Sequence, residues 1–481
     1  VKPYNPIRDP LFQIITFGCK VNQCDSAGMA HELTTRGWCA AAPGAVPDLV
    51  LVNTCSVTQR ADQQARQTIR RLAREHPGLP IAVTGCYAQR APAAVAALPG
   101  VQAVFGNQEK ADLASILDIC LRNRGFETDS SSPLMGVRGD EKELLAMGMI
   151  SEKSSSSGKE TFSGLRPLVG GFSASSPFYP WPVTPAPGQT RARLKIQEGC
   201  SHRCSYCIVP QVRGPRRSLD PDAVLAALHD LAGLGYREVV LTGVDLGQYG
   251  LDHTPPSSLS ALVRRLTKNW PFRVRLSSLE PQMVTPELLE ALAAWPNFCP
   301  HFHLPLQSGA APVLAAMGRP YGPREFRDLA HEITRRFPNP GLGLDVLVGF
   351  PGETDSDFAA TRDLVAELPV TYLHVFPYSP RPGTPAAALK PLPGKVIQAR
   401  ARTLRDLGQQ KQRQFQAAQL GQVREVLVEG PAPQPDYLQG LSDRYLRVVF
   451  RGPRAWHNRL VKVHLQTQHG EVLTGKVVHE P

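Results

Sequence analysis

The 481-residue chain reads as an α/β protein in three parts. These are an N-terminal parallel α/β domain, a central partial (βα)6 TIM-like barrel and a small C-terminal β-barrel. Three observations lead there. Strand-like and helix-like stretches alternate over 11–122 and again over 190–420, the pattern of parallel sheets with crossover helices. A Ser/Gly/Pro-rich stretch, 123–189, separates the two runs. From 421 to 481 the pattern changes to short strands parted by turns.

In the first run "FQIITFG" (12–18) predicts a strand and "SAGMAHELTTRG" (26–37) a helix closed by Gly37. "DLVLVNTC" (48–55) is a buried strand, "QRADQQARQTIRRLAREH" (59–76) a helix and "PIAVTGC" (80–86) a further strand. The stretch 123–189, with "SEKSSSSGKE" and "GFSASSPFYPWPVTPAPG", has little apolar periodicity and is expected to be a linker or mobile insertion. From Arg191, "RARLKIQEG", "REVVLTGVD", "FRVRLSSLEP", "HFHLPLQSG", "GLGLDVLVGFPGET" and "YLHVFPYSP" are strands, with helical patterns between them. Reactive groups of such a barrel belong at the C-terminal ends of its strands. A helix over 394–419 leads into "QVREVLVEG", "YLQGLSDRYLRVVFRG", "RLVKVHLQTQHG" and "VLTGKVV", a small β-barrel of a kind that binds RNA.

Hydrophobic residues make up 42% of the chain and charged ones 20%, as in soluble globular proteins. No apolar run reaches membrane-spanning length, and the N-terminal stretch lacks a signal-peptide pattern. A cytoplasmic location without membrane partners is therefore expected. In that reducing compartment the ten cysteines point to metal or catalysis, not a disulfide frame. The formal charge is +11, and Pro391–Pro481 holds 14 Lys/Arg against 7 Asp/Glu. A basic terminal module suits a polyanion such as RNA, because each neutralised phosphate releases counterions. A solvated basic surface is the other reading.

In "EGCSHRCSYCIVPQVRG" (198–214), Cys200, Cys204 and Cys207 stand at C-x3-C-x2-C just past a strand. Three close thiolates can hold three irons of a [4Fe–4S] cube and leave the fourth iron open for chemistry. The alternative is one zinc ion with His202 or Cys299 as fourth ligand, although zinc sites usually pair two separated Cys-x-x-Cys units. Cys19, Cys55 and Cys86 also each follow a strand, on one end of a parallel sheet, where they could converge on a second cluster. Buried thiols acting as small hydrophobes are the other reading for this set, and the favoured one for Cys24, Cys39, Cys120 and Cys299.

With Tyr206 before its last cysteine, the central motif resembles that of the radical S-adenosylmethionine (SAM) enzymes. The resemblance implies that SAM's amino and carboxylate groups bind the open iron, and that its reduction yields methionine and a 5′-deoxyadenosyl radical. "RGPRRS", "LSSLEP", "HLPLQSG", "VLVGFPGET" and "YSPRPGTPA" extend the likeness over nearly the whole chain outside 123–189, to the radical SAM methylthiotransferases. "GCKVNQ" and "HVFPYSPRPGTPAA" are most like the MtaB branch. The resemblance implies an N-terminal cluster domain, a radical SAM barrel and a TRAM-like RNA-binding barrel, with SAM as both methyl donor and radical source. It implies a [4Fe–4S] cluster on Cys200, Cys204 and Cys207, which together carry the catalysis, and a second on Cys19, Cys55 and Cys86 bearing the sulfur. The implied substrate is N6-threonylcarbamoyladenosine beside the anticodon, in the anticodon stem-loop of tRNA, with a low-potential donor such as flavodoxin. Isopentenyladenosine in tRNA or an aspartate of a ribosomal protein are the alternative substrates, and a zinc-bearing RNA-binding protein is the non-enzyme alternative. Two departures stand out, Cys24 near Cys19 and a long 123–189 stretch.

Thr242, Gly243 and Asp245 in "LTGVDLGQYG" occupy the place where such barrels hold SAM's amino group, with a simple strand-to-loop turn as the other reading. Ser278, Glu280 and Gln307 follow later strands and could meet SAM's ribose or the substrate. Asp345 stands in an apolar strand and needs a partner. "GFPGET" lacks the spacing of a phosphate loop. Arg213, Arg216 and Arg217 are candidates for tRNA phosphate or for an exposed basic face.

Overall fold

The computed structural model describes residues 9–122, 167–173, 175–183, 189–266 and 270–479, with 118–122 as backbone only. The chain divides into two compact units, Val1–Thr184 with Ile208–Pro215, and Pro185–Cys207 with Arg216–Pro481.

Unit one is built on five strands: β1 (Leu11–Thr16), β2 (Cys39–Ala40), β3 (Leu49–Thr54), β4 (Ile81–Gly85) and β5 (Val101–Val104). They pair in parallel in the order β2-β1-β3-β4-β5. All of β3 is buried, because both faces of the sheet are covered. Leu49 and Leu51 pack with Met29 and Leu33 on one side; Val50 and Val52 pack with Ala65 and Ile69 on the other. The helices are α1 (Lys20–Thr35), α2 (Gln59–Glu75), α3 (Cys86–Arg90), α4 (Pro92–Ala96), α5 (Leu113–Arg122) and α6 (Val209–Arg213). The first helix starts earlier than its sequence suggests. Its opening turns are polar, and they are held by burial of Val21, Asn22, Cys24 and Asp25 rather than by helical propensity.

Of the expected linker, 123–166, 174 and 184–188 lie outside the described residues. The remainder corrects the expectation. Leu168 forms a parallel bridge to Phe105, Val169 joins the core beneath β4, and Trp181 packs against the opposite face of the sheet. Trp181 lies so close to α1 that a Cβ at Gly28 would come within 2.1 Å of its ring. Scattered aromatic anchors dock this stretch, and they leave no helical or strand period to read.

In unit two a short antiparallel pair, β7 (Gln197–Glu198) with β8 (Arg217–Ser218), follows β6 (Arg191–Lys195). Strands β9 (Glu238–Thr242) and β10 (Arg273–Leu276) join β6 in a three-stranded parallel sheet, order β10-β9-β6. Strands β11 (His301–Gln307), β12 (Gly341–Val348) and β13 (Tyr372–Pro377) form a second, order β11-β12-β13. The six strands thus form two sheets rather than one continuously bonded barrel wall. The helices are α7 (Pro221–Gly233), α8 (Leu259–Leu266), α9 (Pro286–Ala293), α10 (Ala311–Ala316), α11 (Pro323–Arg336), α12 (Asp355–Glu367) and α13 (Gly394–Ala417).

Alternation along these strands separates two faces. Leu194, Val239, Leu241, Val274, Leu304, Leu344 and Val346 are buried core. The intervening positions are polar: Glu238 on β9, Arg273 and Arg275 on β10, His301 and His303 on β11, Asp345 on β12, Tyr372 and His374 on β13. The two polar faces meet at Tyr445, whose ring lies under the Arg275 guanidinium and stacks on His301 and Tyr372.

Strands β14 (Val423–Pro431), β15 (Tyr437–Ser442), β16 (Arg447–Arg451), β17 (Leu460–His469) and β18 (Val472–His479) close into a small barrel, order β14-β15-β16-β18-β17. A buried cluster of charge ties it to the parallel sheet. Arg273 Nε and Arg275 Nε donate to Glu238 at 2.7 and 2.9 Å, and their Nη2 groups donate to the carbonyls of Leu441 and Ser442. Burial opposes charging Glu238, but Arg275 and Arg273 outweigh it and hold the carboxyl at about 2.

Candidate active site

Cys19, Cys55 and Cys86 follow β1, β3 and β4, three neighbouring strands of one parallel sheet. Adjacent strands lie about 4.8 Å apart, so their ends bring the thiols together. Two glycines with left-handed backbones make the approach possible. A Cβ at Gly18 (φ 92°) would stand 2.7 Å from Cys55 Sγ, and one at Gly85 (φ 93°) 2.3 Å from the Thr54 carbonyl. Burial, then the neighbouring Cys86, raises the Cys55 thiol to about 12; Cys19 adds to the rise and Arg213 opposes it. Cys24 is buried in α1.

The sequence reading of Arg213 needs correcting. It is 2% exposed and sits in unit one, not on an open basic face. Its Nε donates to Cys86 Sγ at 3.4 Å, its Nη1 to Asp25 at 3.1 Å, and its Nη2 to Asn22. Lys110 pairs with the same Asp25 oxygen at 2.8 Å, and Trp181 Nε1 donates to the other at 3.2 Å. Ile208 and Val212 pack against Cys86. Arg217 is also buried, whereas Arg216 is half-buried.

In unit two, Cys200, Cys204 and Cys207 lie in the loop after β7, held from several sides. Gln197 Nε2 donates to the carbonyls of Glu198 and Gly199, Ser205 N–H donates to the Met317 carbonyl, and Ala386 N–H to that of Ser205. Asp245 is 4% exposed; its N–H donates to Gln197 Oε1 at 2.8 Å. Its Oδ2 lies 3.0 Å from His202 Nε2 and 3.7 Å from Cys200 Sγ. Burial, then Asp245, raises the Cys200 thiol, while the hydrogen bond to Asp245 raises His202. Asp245 Oδ1 is buried with no hydrogen-bond partner among the described residues. An orphaned acceptor beside the Cys200 thiol suits a cationic amino group.

Thr242 ends β9, and Gly243 admits Gln197, whose Oε1 would stand 2.7 Å from a Cβ there. Glu280 contacts Arg319, whose Nη1 donates to Cys204 Sγ at 3.2 Å. Burial raises the Glu280 carboxyl against the pull of Arg319. Ser278 is exposed; the preceding Ser277 is the buried one and accepts from Gly243 N–H at 3.4 Å. Gln307 ends β11 with a left-handed backbone, φ 63°, an uncommon conformation for a residue with a side chain. Sequence reasoning missed Gln197 and Arg319, which carry no motif and act through partners remote in sequence. "GFPGET" is structural: Glu353 accepts from Gly349 N–H at 2.8 Å and from Arg400 at 2.5 Å.

Neither His202, inside this loop, nor Cys299 stands as a fourth ligand to the three thiols. His202 is engaged with Asp245, and Cys299 is wholly buried near Arg275, Arg273 and Glu238; burial raises its thiol to about 12. Neither cysteine triad brings its three sulfurs all within 4.8 Å of one another, as a single tetrahedral zinc, with sulfurs ~3.8 Å apart, requires.

Residues 194–365 match the radical SAM superfamily, and residues 11–106 match the uncharacterized protein family UPF0004. Over 455 residues the chain is 32% identical to the threonylcarbamoyladenosine tRNA methylthiotransferase MtaB of Bacillus subtilis, covering 93% of this chain and 92% of that protein. The MtaB of Aquifex aeolicus is 33% identical over 86% of this chain and 91% of its own. This chain belongs to the radical SAM methylthiotransferases, in the MtaB branch. A family member from Corynebacterium efficiens, the tRNA-2-methylthio-N(6)-dimethylallyladenosine synthase, is 32% identical over 90% of this chain and 77% of its own. Among solved structures, the radical SAM methyltransferase TsrM of Kitasatospora setae shares the fold, with TM-score 0.54 and 15% identity, over 78% of this chain and 75% of that one. The radical SAM family implies a [4Fe–4S] cluster and SAM, and the donor set at Cys200, Cys204, Cys207 and Asp245 fits both. No described helix is long and apolar enough to cross a membrane.

Proposed function

We propose that this chain installs a methylthio group at C2 of N6-threonylcarbamoyladenosine, beside the anticodon of tRNA. The observation that carries this reading is the near full-length likeness to proteins named for that reaction. The paired cysteine triads support it, since methylthio transfer needs both a radical source and a sulfur carrier. In this reading residues 11–122 hold the sulfur-bearing cluster, 190–420 the radical SAM site and 421–481 the RNA-binding module, with 123–189 as insertion. Bound at the two triads, the clusters and SAM supply the radical, the methyl group and the sulfur.

The chain's own residues do the rest. Cys200, Cys204 and Cys207 hold one cluster; Cys19, Cys55 and Cys86 hold the other. Asp245, kept in place by Gln197 and His202, accepts from SAM's ammonium through its open Oδ1, with Thr242 and Gly243 shaping that strand end. Burial raises the Cys204 thiol, and Arg319, backed by Glu280, opposes that rise with positive charge beside it. Ser278 and Gln307 stand at strand ends, open to ribose or substrate. Exposed Arg447, Arg451, Arg454, Lys462 and Lys476 on the C-terminal barrel offer charge to the phosphates of the anticodon stem-loop. A flavodoxin-type donor and a cytoplasmic setting complete the reading.

Nucleoside mass spectrometry on tRNA from a host with and without the gene tests it. Loss of the methylthio-threonylcarbamoyl nucleoside, with its precursor accumulating, is expected. Loss of methylthio-isopentenyladenosine instead would move the substrate to that of the corynebacterial relatives. No change in any tRNA nucleoside would point to a protein substrate.

A further inference from the structure

The polar face of the second sheet carries a group outside both cysteine triads. His303 (β11), Asp345 (β12) and His374 (β13) lie on one face of three neighbouring strands, with Asp345 and His374 as register partners. His303 Nε2 is 2.8 Å and His374 Nδ1 3.3 Å from the same oxygen, Asp345 Oδ1. One ligand atom from each residue lies within 4.8 Å of the others. Ligands bound to an ion through ~2.1 Å bonds stand about 3.0 to 3.4 Å apart, so both spacings need little adjustment.

His303 is oriented for this role. Tyr372 OH lies 3.0 Å from its Nδ1 and 2.8 Å from His301 Nε2, which turns Nε2 toward Asp345. A hydrogen bond on the far ring nitrogen is the usual support of a ligating imidazole. Gly343 makes room for it, because a Cβ there would come within 2.0 Å of the Tyr372 ring. His303 is buried, while the His374 side chain is 54% exposed, so the group opens on one side.

We propose that His303, Asp345 and His374 bind one divalent transition-metal ion, of zinc or ferrous type, whose open positions take oxygen ligands. Two imidazoles with one carboxylate suit such ions better than magnesium or calcium. If the substrate reading above holds, the threonylcarbamoyl group brings a carboxylate and a hydroxyl to those positions. An isopentenyl group brings neither, so the ion anchors one substrate and not the other.

The test uses the full chain with its clusters loaded anaerobically, so that cysteines are occupied, and zinc(II) as probe. Zinc and iron are measured after desalting in the wild type, His374→Ala and Asp345→Asn. The expected result is one zinc ion per wild-type chain, lost in both variants with iron unchanged, and a visible cobalt(II) band that follows the same pattern. Equal zinc in wild type and His374→Ala overturns the site; His374 is half-exposed, so its removal leaves the fold intact. Stripping the zinc is expected to weaken binding of threonylcarbamoyl tRNA and to leave isopentenyl tRNA unaffected. Equal weakening, or none, overturns the anchoring role. Failure of the substrate reading itself would show in the tRNA nucleosides while the zinc stoichiometry still decides the site.

Discussion

Replacing Arg213 by Gln removes a buried cation from Asp25, Asn22 and Cys86 in one step. Asp25 keeps Lys110 at 2.8 Å and so is not left as a bare charge. The cost therefore falls below the 3–5 kcal/mol of a fully broken buried pair, nearer about 2 kcal/mol for charge-assisted hydrogen bonds. In a unit of this size that lowers the melting midpoint by roughly 4–8 °C. Iron binding at the proposed N-terminal site should feel it as well, since Arg213 opposes the rise of the Cys55 thiol and donates to Cys86 Sγ. The assay is iron content and melting of Arg213→Gln and Arg213→Lys in a chain already lacking Cys200, Cys204 and Cys207, so that only iron at the proposed N-terminal site is counted. Iron should fall by more than half in the Gln variant and less in the Lys variant, which keeps the charge and loses the fork. Unchanged iron and melting, with weakened tRNA binding, would refute this reasoning and return Arg213 to the role of a phosphate contact.

Glu238→Gln should destabilise unit two by about 3–5 kcal/mol, because Arg273 and Arg275 are left buried with one partner short. In the wild type that carboxyl sits at about 2, below its unfolded value of ~4.3, so its contribution is complete above ~4.3 and disappears as pH falls through about 2. Denaturant titrations at several pH values should show an acid-side slope in the wild type that the variant lacks. Asp245→Asn should leave iron content unchanged and weaken SAM binding at least tenfold, read by equilibrium dialysis; unaltered SAM affinity would remove Asp245 from the SAM site. Lys462→Glu with Lys476→Glu should lower tRNA affinity and flatten its salt dependence by about one unit of log–log slope per lost phosphate contact. An unchanged slope would place the RNA elsewhere.

Local features of the fold were legible. The alternation of β1 to β4 with helices, the positions of the six candidate cysteines just past strands and the change of pattern after residue 420 are all local signals. What stayed hidden depends on remote partners. No local signal tells that β1, β3 and β4 are neighbours in their sheet, which is what gathers Cys19, Cys55 and Cys86. Arg213 reads as surface charge because Asp25 is 188 residues away, and Arg319 goes unnoticed because Cys204 is 115 residues away. Asp345 announces its need for a partner, but His303 and His374 come from two other strands. Trp181 and Leu168 dock a segment whose composition reads as a linker, since a few large side chains can anchor a chain that has no period.

The separation of faces along the six parallel strands bears on how such a protein diversifies. Leu304, Leu344 and Val346 carry the packing, whereas His303, Asp345 and His374 occupy the other side of the same strands. Replacing the partly open Asp345 or the exposed His374 opens no cavity among those apolar side chains, so it escapes the large penalty that core truncations, or loss of the buried Glu238, incur. Side chains on that side can therefore be exchanged while the scaffold stays fixed. Relatives named for two different modified adenosines, at 32% identity each, are the outcome such a division of labour permits.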